Sequence, residues 1–148
     1  LTETNVSMAL IEPWHQWDWQ AAERFFRRAL QLGPSYAAAP QQYGWLLSIS
    51  GRFDEAQRQL QRAGELDPLS SYILSDSTLP YFLSRQHDKA IELCRKAIDL
   101  DPDFFLPHFL YGLNLVLSKQ VEPGIKELEP TRRIAAPGWQ PTSDGLMR

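Results

Sequence analysis

The stretch GRFDEAQRQLQRAGELDP, residues 51–68, decides the fold, because two others align with it without a gap: WDWQAAERFFRRALQLGP at 17–34 and RQHDKAIELCRKAIDLDP at 85–102. Four columns recur every 34 residues: Ala22, Ala56 and Ala90; Ala29, Ala63 and Ala97; Leu32, Leu66 and Leu100; Pro34, Pro68 and Pro102. A fourth copy, KQVEPGIKELEPTRRIAAPG at 119–138, is degraded but keeps the register, with Gly124 in the small-residue column and Leu128 where Phe26, Leu60 and Cys94 stand. Self-similarity at such a period marks a repeat architecture, in which each unit buries its apolar face against its neighbours. Within the quoted stretch Phe53, Ala56, Leu60, Ala63 and Leu66 are spaced by threes and fours, the stripe of an amphipathic helix.

The intervening segments are helical in pattern too: YAAAPQQYGWLLSIS (36–50), SSYILSDSTLPYFLSR (70–85) and FFLPHFLYGLNLVLS (104–118). No segment alternates with period two, so the expectation is an all-α chain of about eight antiparallel helices in four hairpins. The Asp-Pro and Gly-Pro pairs close the second helices, and Ser35, Ser70 and Asp103 stand near the next starts as candidate caps. Pro80 falls in the middle of a first helix, where it costs about 3 kcal/mol unless the helix kinks, so distortion is expected there. Pro130 is expected to interrupt the last helix, whereas Pro40, Pro107 and Pro123 lie near helix starts.

The composition narrows the function. Hydrophobic residues make up 43% and charged residues 22% of 148, the balance of an ordinary globular protein. With 15 Lys+Arg against 18 Asp+Glu the net charge is -3, which leaves no basic footprint for nucleic acid. The apolar run Phe104–Leu117 falls short of the ~20 residues that span a bilayer, and no membrane association is expected. Cys94 stands alone and forms no internal disulfide, a pattern that fits the cytoplasm. The N-terminus LTETNVSMAL has neither a leader pattern nor an initiating Met, so the expectation is an excised piece or a processed product.

Catalysis finds no support. His15, His87 and His108 are scattered without metal-ligand spacing, and there is neither a Gly-rich phosphate loop nor a nucleophile elbow. Cys94 shares a column with Phe26 and Leu60 and is expected in the core. No metal or cofactor is expected, and what remains is surface.

A 34-residue helix-turn-helix unit with small residues at the helix crossing and a closing Pro resembles the tetratricopeptide repeat. The resemblance implies a right-handed superhelix of four units, 3–36, 37–70, 71–104 and 105–138, forming one domain over 3–138 with a short tail at 139–148. The family's small eighth position falls on Gly44 and Gly112, while Ser77 and Thr78 replace the usual large-small pair in the third unit. The tail WQPTSDGLMR is expected to be too short to cap the stack, so that the array continues or this end packs against something.

In this family the second, fifth, ninth, twelfth and thirteenth positions of each first helix line a concave groove. Carried over, they include Trp14, Gln41, Trp45, Ile49, Tyr72, Leu79, Phe82, Phe109, Leu113 and Val116, besides Ser48 and Ser75. No Lys, Arg, Asp or Glu falls on these positions, which disfavours the branch of the family that clamps a peptide carboxylate. The implied function is a non-enzymatic scaffold that holds a protein or peptide segment in an apolar, aromatic groove. WDWQAAERFFRRAL, GRFDEA and ELDPLS further resemble repeats attached to bacterial signalling and transcriptional proteins. The rival expectation is a homodimer formed through the C-terminal repeat.

Overall fold

The computed structural model describes residues 19–135, with side chains through Thr131. In chain order the helices are α1 (Trp19–Leu32), α2 (Ala38–Ile49), α3 (Phe53–Leu66), α4 (Ser71–Asp76), α5 (Leu79–Leu83), α6 (His87–Leu100), α7 (Phe105–Leu117) and α8 (Val121–Ala135). No strand occurs among the described residues. The second helices α1, α3 and α6 start at Trp19, Phe53 and His87 and end at Leu32, Leu66 and Leu100, so the sequence period is also the period of the backbone.

Burial follows the aligned columns. Ala22, Phe26 and Ala29 of α1, Ala56, Leu60 and Ala63 of α3, and Ala90, Cys94 and Ala97 of α6 are each at most 1% exposed. The last column continues into α8 as Thr131, also buried. Alanine here lets helices approach, while each buried Phe or Leu adds about 1.5–3 kcal/mol of apolar transfer. Each second helix packs on the first helix of its own hairpin: α3 on α2, α6 on α4 and α5, and α8 on α7. It also meets the next first helix, α1 on α2, α3 on α4 and α5, and α6 on α7, so the hairpins stack into a solenoid with two layers.

At two crossings a glycine lets a leucine of the facing helix sit close against the backbone. A Cβ on Gly44 would sit 2.6 Å from Leu60 Cγ, and one on Gly112 would sit 2.6 Å from Leu128 Cγ, the same contact 68 residues on. In the third hairpin the corresponding residues are Thr78 and Cys94, both fully buried. A larger residue thus stands in the glycine column and a smaller one in the leucine column.

The first helices end alike. After α2, Arg52 N–H bonds Leu47 O at 2.9 Å and Gly51 N–H bonds Ser48 O at 3.1 Å, the paired bonds of a Schellman turn. The same bonds recur as Gln86 to Tyr81 (2.8 Å) and Arg85 to Phe82 (3.1 Å), and as Gln120 to Leu115 (2.9 Å) and Lys119 to Val116 (3.0 Å). The turn needs a left-handed residue, which is Gly51 (φ 79°) in one copy but Arg85 (φ 60°) and Lys119 (φ 69°) in the others. Serines at positions 50, 84 and 118 donate their hydroxyls back to carbonyls of the last turn.

The expected distortion at Pro80 is a full break. The first helix of the third hairpin splits into α4 and α5 at Ser77 and Thr78, which places Pro80 at the second position of α5, where its missing N–H has no partner to lose. Ser77 and Thr78 turn their hydroxyls to Ile73 O and Ser75 O. This break brings the described helical segments to eight, and seven of the expected helices are therefore among the described residues. Pro130 behaves otherwise than expected: α8 runs through it to Ala135. Pro130 and Lys126, whose carbonyl loses the usual N–H donor, are both exposed, so water can replace that bond. Of the three candidate caps, Ser70 acts as one, accepting from Ile73 N–H at 3.2 Å.

At the start of the described array one ionic cluster joins three helices. Glu23 of α1 accepts bonds from Arg27 (2.7 Å), from the Tyr43 hydroxyl of α2 (2.7 Å) and from Arg52 before α3 (3.0 Å). The Arg52 bond, followed by that of Tyr43, holds the Glu23 carboxyl down to about 2.

Candidate functional site

The first helices α2, α4, α5 and α7 form one layer of the solenoid and carry the positions from which a groove is expected. Their sequences are apolar around most of the circumference, so burying one side against the second helices leaves apolar groups on the other. Ile49, Tyr72 and Phe109 are 41%, 49% and 39% exposed, and Leu83 and Leu117, which stand one and two repeat periods after Ile49, are also exposed. Trp45, Leu79, Phe82, Leu113 and Val116 are half-buried. Trp14 lies outside the described residues.

Aromatic contacts extend this surface along the stack. Tyr72 meets Phe104 edge to face with centroids 6.3 Å apart, and Phe105 stacks with Phe109 at 5.9 Å. Phe82 packs edge-on against His87 at 6.2 Å.

Three of the carried-over positions are not open surface. Ser48 and Ser75 are buried, each donating to the carbonyl four residues back, Gly44 O (2.8 Å) and Ser71 O (2.7 Å). Gln41 is 4% exposed and donates Nε2 to Asp76 Oδ2 at 2.7 Å, tying α2 to α4. None of the five carried-over positions holds an Asp, Glu, Lys or Arg, but an acid stands next to them. Asp76 occupies a sixth position, outside the five carried over, yet it reaches a fifth-position residue of the preceding hairpin. Burial pushes the Asp76 carboxyl up, against the lowering effect of Gln41, and its charge raises the Tyr72 hydroxyl. The available signal was composition: Asp76 is the single charged residue in the fifteen from Ser70 to Ser84.

The groups that could do chemistry are engaged elsewhere. Cys94 is buried among the second-helix columns, and desolvation pushes its thiol up to about 12, so it stays protonated at neutral pH. His87 Nδ1 lies 3.0 Å from Asn114 Oδ1. His108 lies 2.5 Å from Glu127 Oε1 and 2.9 Å from Pro102 O; burial lowers its pKa, but these partners outweigh it and raise it. No group of three or more potential metal ligands occurs among the described residues, nor is any described helix long and apolar enough to cross a membrane. A separate cleft of about 530 Å³ opens beside α3, lined by Gln57, Arg58, Gln61, Leu74 and Tyr81.

A two-layered stack of helix pairs closed by Asp-Pro turns defines a helical-repeat protein. Tetratricopeptide-repeat family profiles match residues 15–75 and 81–104, more than half of the chain, and the chain belongs to that family. Among solved structures, PilF of Pseudomonas aeruginosa has a TM-score of 0.78 at 16% identity, over 90% of this chain and 60% of that one. MamA of Desulfovibrio magneticus RS-1 has 0.73 at 23%, over 91% and 76%. An O-GlcNAc transferase variant of Thermobaculum terrenum has 0.67 at 27%, over 77% of this chain and 22% of that one. Anaphase-promoting complex subunit 3 of Schizosaccharomyces pombe is 25% identical over 118 residues, 80% of this chain, but the chain spans 18% of that relative's length. At these identities the likenesses define the fold and leave the partner open.

Proposed function

We propose that the chain is a non-enzymatic scaffold that holds a protein or peptide segment on its first-helix face. The observation that carries the reading is the exposure of Ile49, Tyr72, Leu83, Phe109 and Leu117 in one layer, with half-buried Trp45 and Phe82 among them. Several large apolar side chains left exposed in one layer are costly to keep in water and favour burial against another chain. Aromatic side chains supply the anchors, since they bury much area for little lost freedom. The mechanism is capture alone: the partner's apolar side chains leave water, and no bond is made or broken. The setting we propose, a module of a cytoplasmic bacterial signalling protein, rests on the resemblance of WDWQAAERFFRRAL, GRFDEA and ELDPLS to repeats found there. Replacing Trp45 and Phe82 by Ala, with the helical spectrum intact, is expected to abolish binding of a partner segment. Unchanged affinity would refute the assignment of the face.

One observation favours a second reading, self-association through the last hairpin. Val121 and Ile125, one turn apart on α8, are 49% and 52% exposed. A second copy would cover them. Light scattering over a concentration series tests this, and a monomer throughout excludes it.

A further inference from the structure

The chemistry of the bound segment can be read from the one carboxylate on this face. Among the described residues, α2, α4, α5 and α7 hold two side chains that carry charge near neutral pH, Asp76 and His108. His108 is committed to Glu127 and to the Pro102 carbonyl. Among the acids bonded to side chains, Asp76 and Glu65 receive only a neutral amide bond, Glu65 from Gln61 at 3.0 Å, and of the two only Asp76 is half-buried, Glu65 being exposed. Glu23, Glu55 and Glu92 each meet an Arg or Lys within 3.0 Å, whereas Asp76 receives one neutral bond, from Gln41, and has no Lys or Arg within 4 Å among the described residues. A carboxylate has about four acceptor positions, so most of those of Asp76 remain for an incoming donor. The side chain is half-buried and not sealed, and its field reaches the exposed Tyr72, which in turn packs on Phe104. A partly desolvated carboxylate beside exposed aromatic rings is a cation-selective arrangement, since both the charge and the ring faces attract an ammonium or guanidinium. The equivalent residues of the neighbouring units are Gln42 and Leu110, so nothing in the repeat itself demands an acid here.

We infer that the segment held on this face carries a Lys or Arg flanked by apolar residues, the cation meeting Asp76 beside the Tyr72–Phe104 edge and the apolar side chains covering Trp45, Phe82 and Phe109. The inference rests on the scaffold reading above and adds the charge of the partner. It runs opposite to a carboxylate clamp, because the charged end of the contact belongs to the protein as an acid.

The test uses the 148-residue chain and random dodecapeptides displayed on phage. Selected peptides are expected to place Lys or Arg among apolar residues, and a synthetic peptide of that kind to lose about tenfold or more in affinity for Asp76→Asn, which keeps the size and the Gln41 bond. Changing the peptide's own Lys to Gln gives the same loss on the unaltered protein, so the result does not depend on the variant folding. Selection of apolar peptides without a basic residue, or equal binding to Asp76→Asn, overturns the inference and leaves the scaffold reading standing. Peptides that bind the Trp45→Ala, Phe82→Ala protein undiminished, or no enrichment at all, overturn both.

Discussion

Two glycines inside helices should respond to alanine with opposite signs. A Cβ on Gly124 of α8 would lie 2.7 Å from Val116 Cγ2, 2.8 Å from Gly112 O and 2.9 Å from Val116 N. Two of those three atoms are backbone of α7, so no rotamer change relieves the contact and the helices must separate. Because backbone has to move, the overpacking cost falls in the upper part of the usual range, about 2–3 kcal/mol, and the better helix propensity of Ala returns about 1 kcal/mol, which leaves a net loss of about 1–2 kcal/mol. For Gly64 of α3, nothing lies within 4 Å of the added carbon, and the propensity gain of up to about 1 kcal/mol stands alone. For a chain of this size that is a fall in Tm of about 3–6 °C for Gly124→Ala and a rise of about 2–4 °C for Gly64→Ala. Gly112→Ala should cost less than Gly124→Ala, because two of the three atoms nearest its added carbon belong to the Leu128 side chain and its one backbone contact, Gly124 O, is longer at 3.0 Å. Far-UV circular dichroism on heating and in urea measures the shifts. Amide exchange should show the loss first in α8, since units of a solenoid lean mainly on their neighbours. A Gly124→Ala protein as stable as the parent, or both variants shifting the same way, would refute the close approach of α7 and α8.

Acid should weaken the Glu23 cluster. Its folded pKa is lowered to about 2 from 4.5, so its contribution is present above pH 4.5 and fades as pH falls toward 2. Because Arg27 and Arg52 are 64% and 36% exposed, that contribution is about 1 kcal/mol, seen as a flatter acid limb of Tm against pH in Glu23→Gln. Asp76 has the reverse sign: its folded pKa lies above the usual 3.8, so its charge costs stability at neutral pH and the cost is relieved as pH falls through the raised value. Asp76→Asn is expected to raise Tm at pH 7 and to leave it unchanged well below pH 3.8; a lower Tm at pH 7 would mean that the carboxylate is satisfied within the fold. Arg85→Gly and Lys119→Gly, at φ 60° and 69°, should each add about 0.5–1 kcal/mol in urea unfolding, while Gly51→Ala at φ 79° loses a similar amount. Equal stability of all three variants would contradict the left-handed turns.

The repeat could be read from the sequence because its anchors are side chains. Ala22, Ala56 and Ala90 align on the page and are equally buried in the fold. The Schellman turns could not be read so, because they are a backbone property. Only Gly51 shows the left-handed position by residue type; Arg85 and Lys119 adopt it under the pull of the same hydrogen bonds. Pro80 and Pro130 look alike in sequence, yet one stands in a broken helix and the other in a continuous one. The difference lies in the surroundings, with Thr78 fully buried near the first and solvent beside the second. On the first-helix face the carried-over positions located exposed Ile49, Tyr72 and Phe109 but also picked out buried Ser48, Ser75 and Gln41. They missed Asp76, because a position rule drawn from one helix does not include what a neighbouring helix's Gln41 can reach.

The break at Ser77 and Thr78 also bears on how the array comes apart. Pieces of six and five residues are far below the length at which a helix holds itself in water, so α4 and α5 persist by contact with α2, α3, α6 and α7. A linear stack ordinarily frays from its ends inward, since end units have one neighbour and interior units have two. Here the broken first helix of the third unit borrows nearly all of its order from its neighbours, and loss of either flank removes part of what keeps it helical. Unfolding that begins at one end should therefore gain speed on reaching residues 71–83, which makes the interior of this solenoid its mechanical fuse.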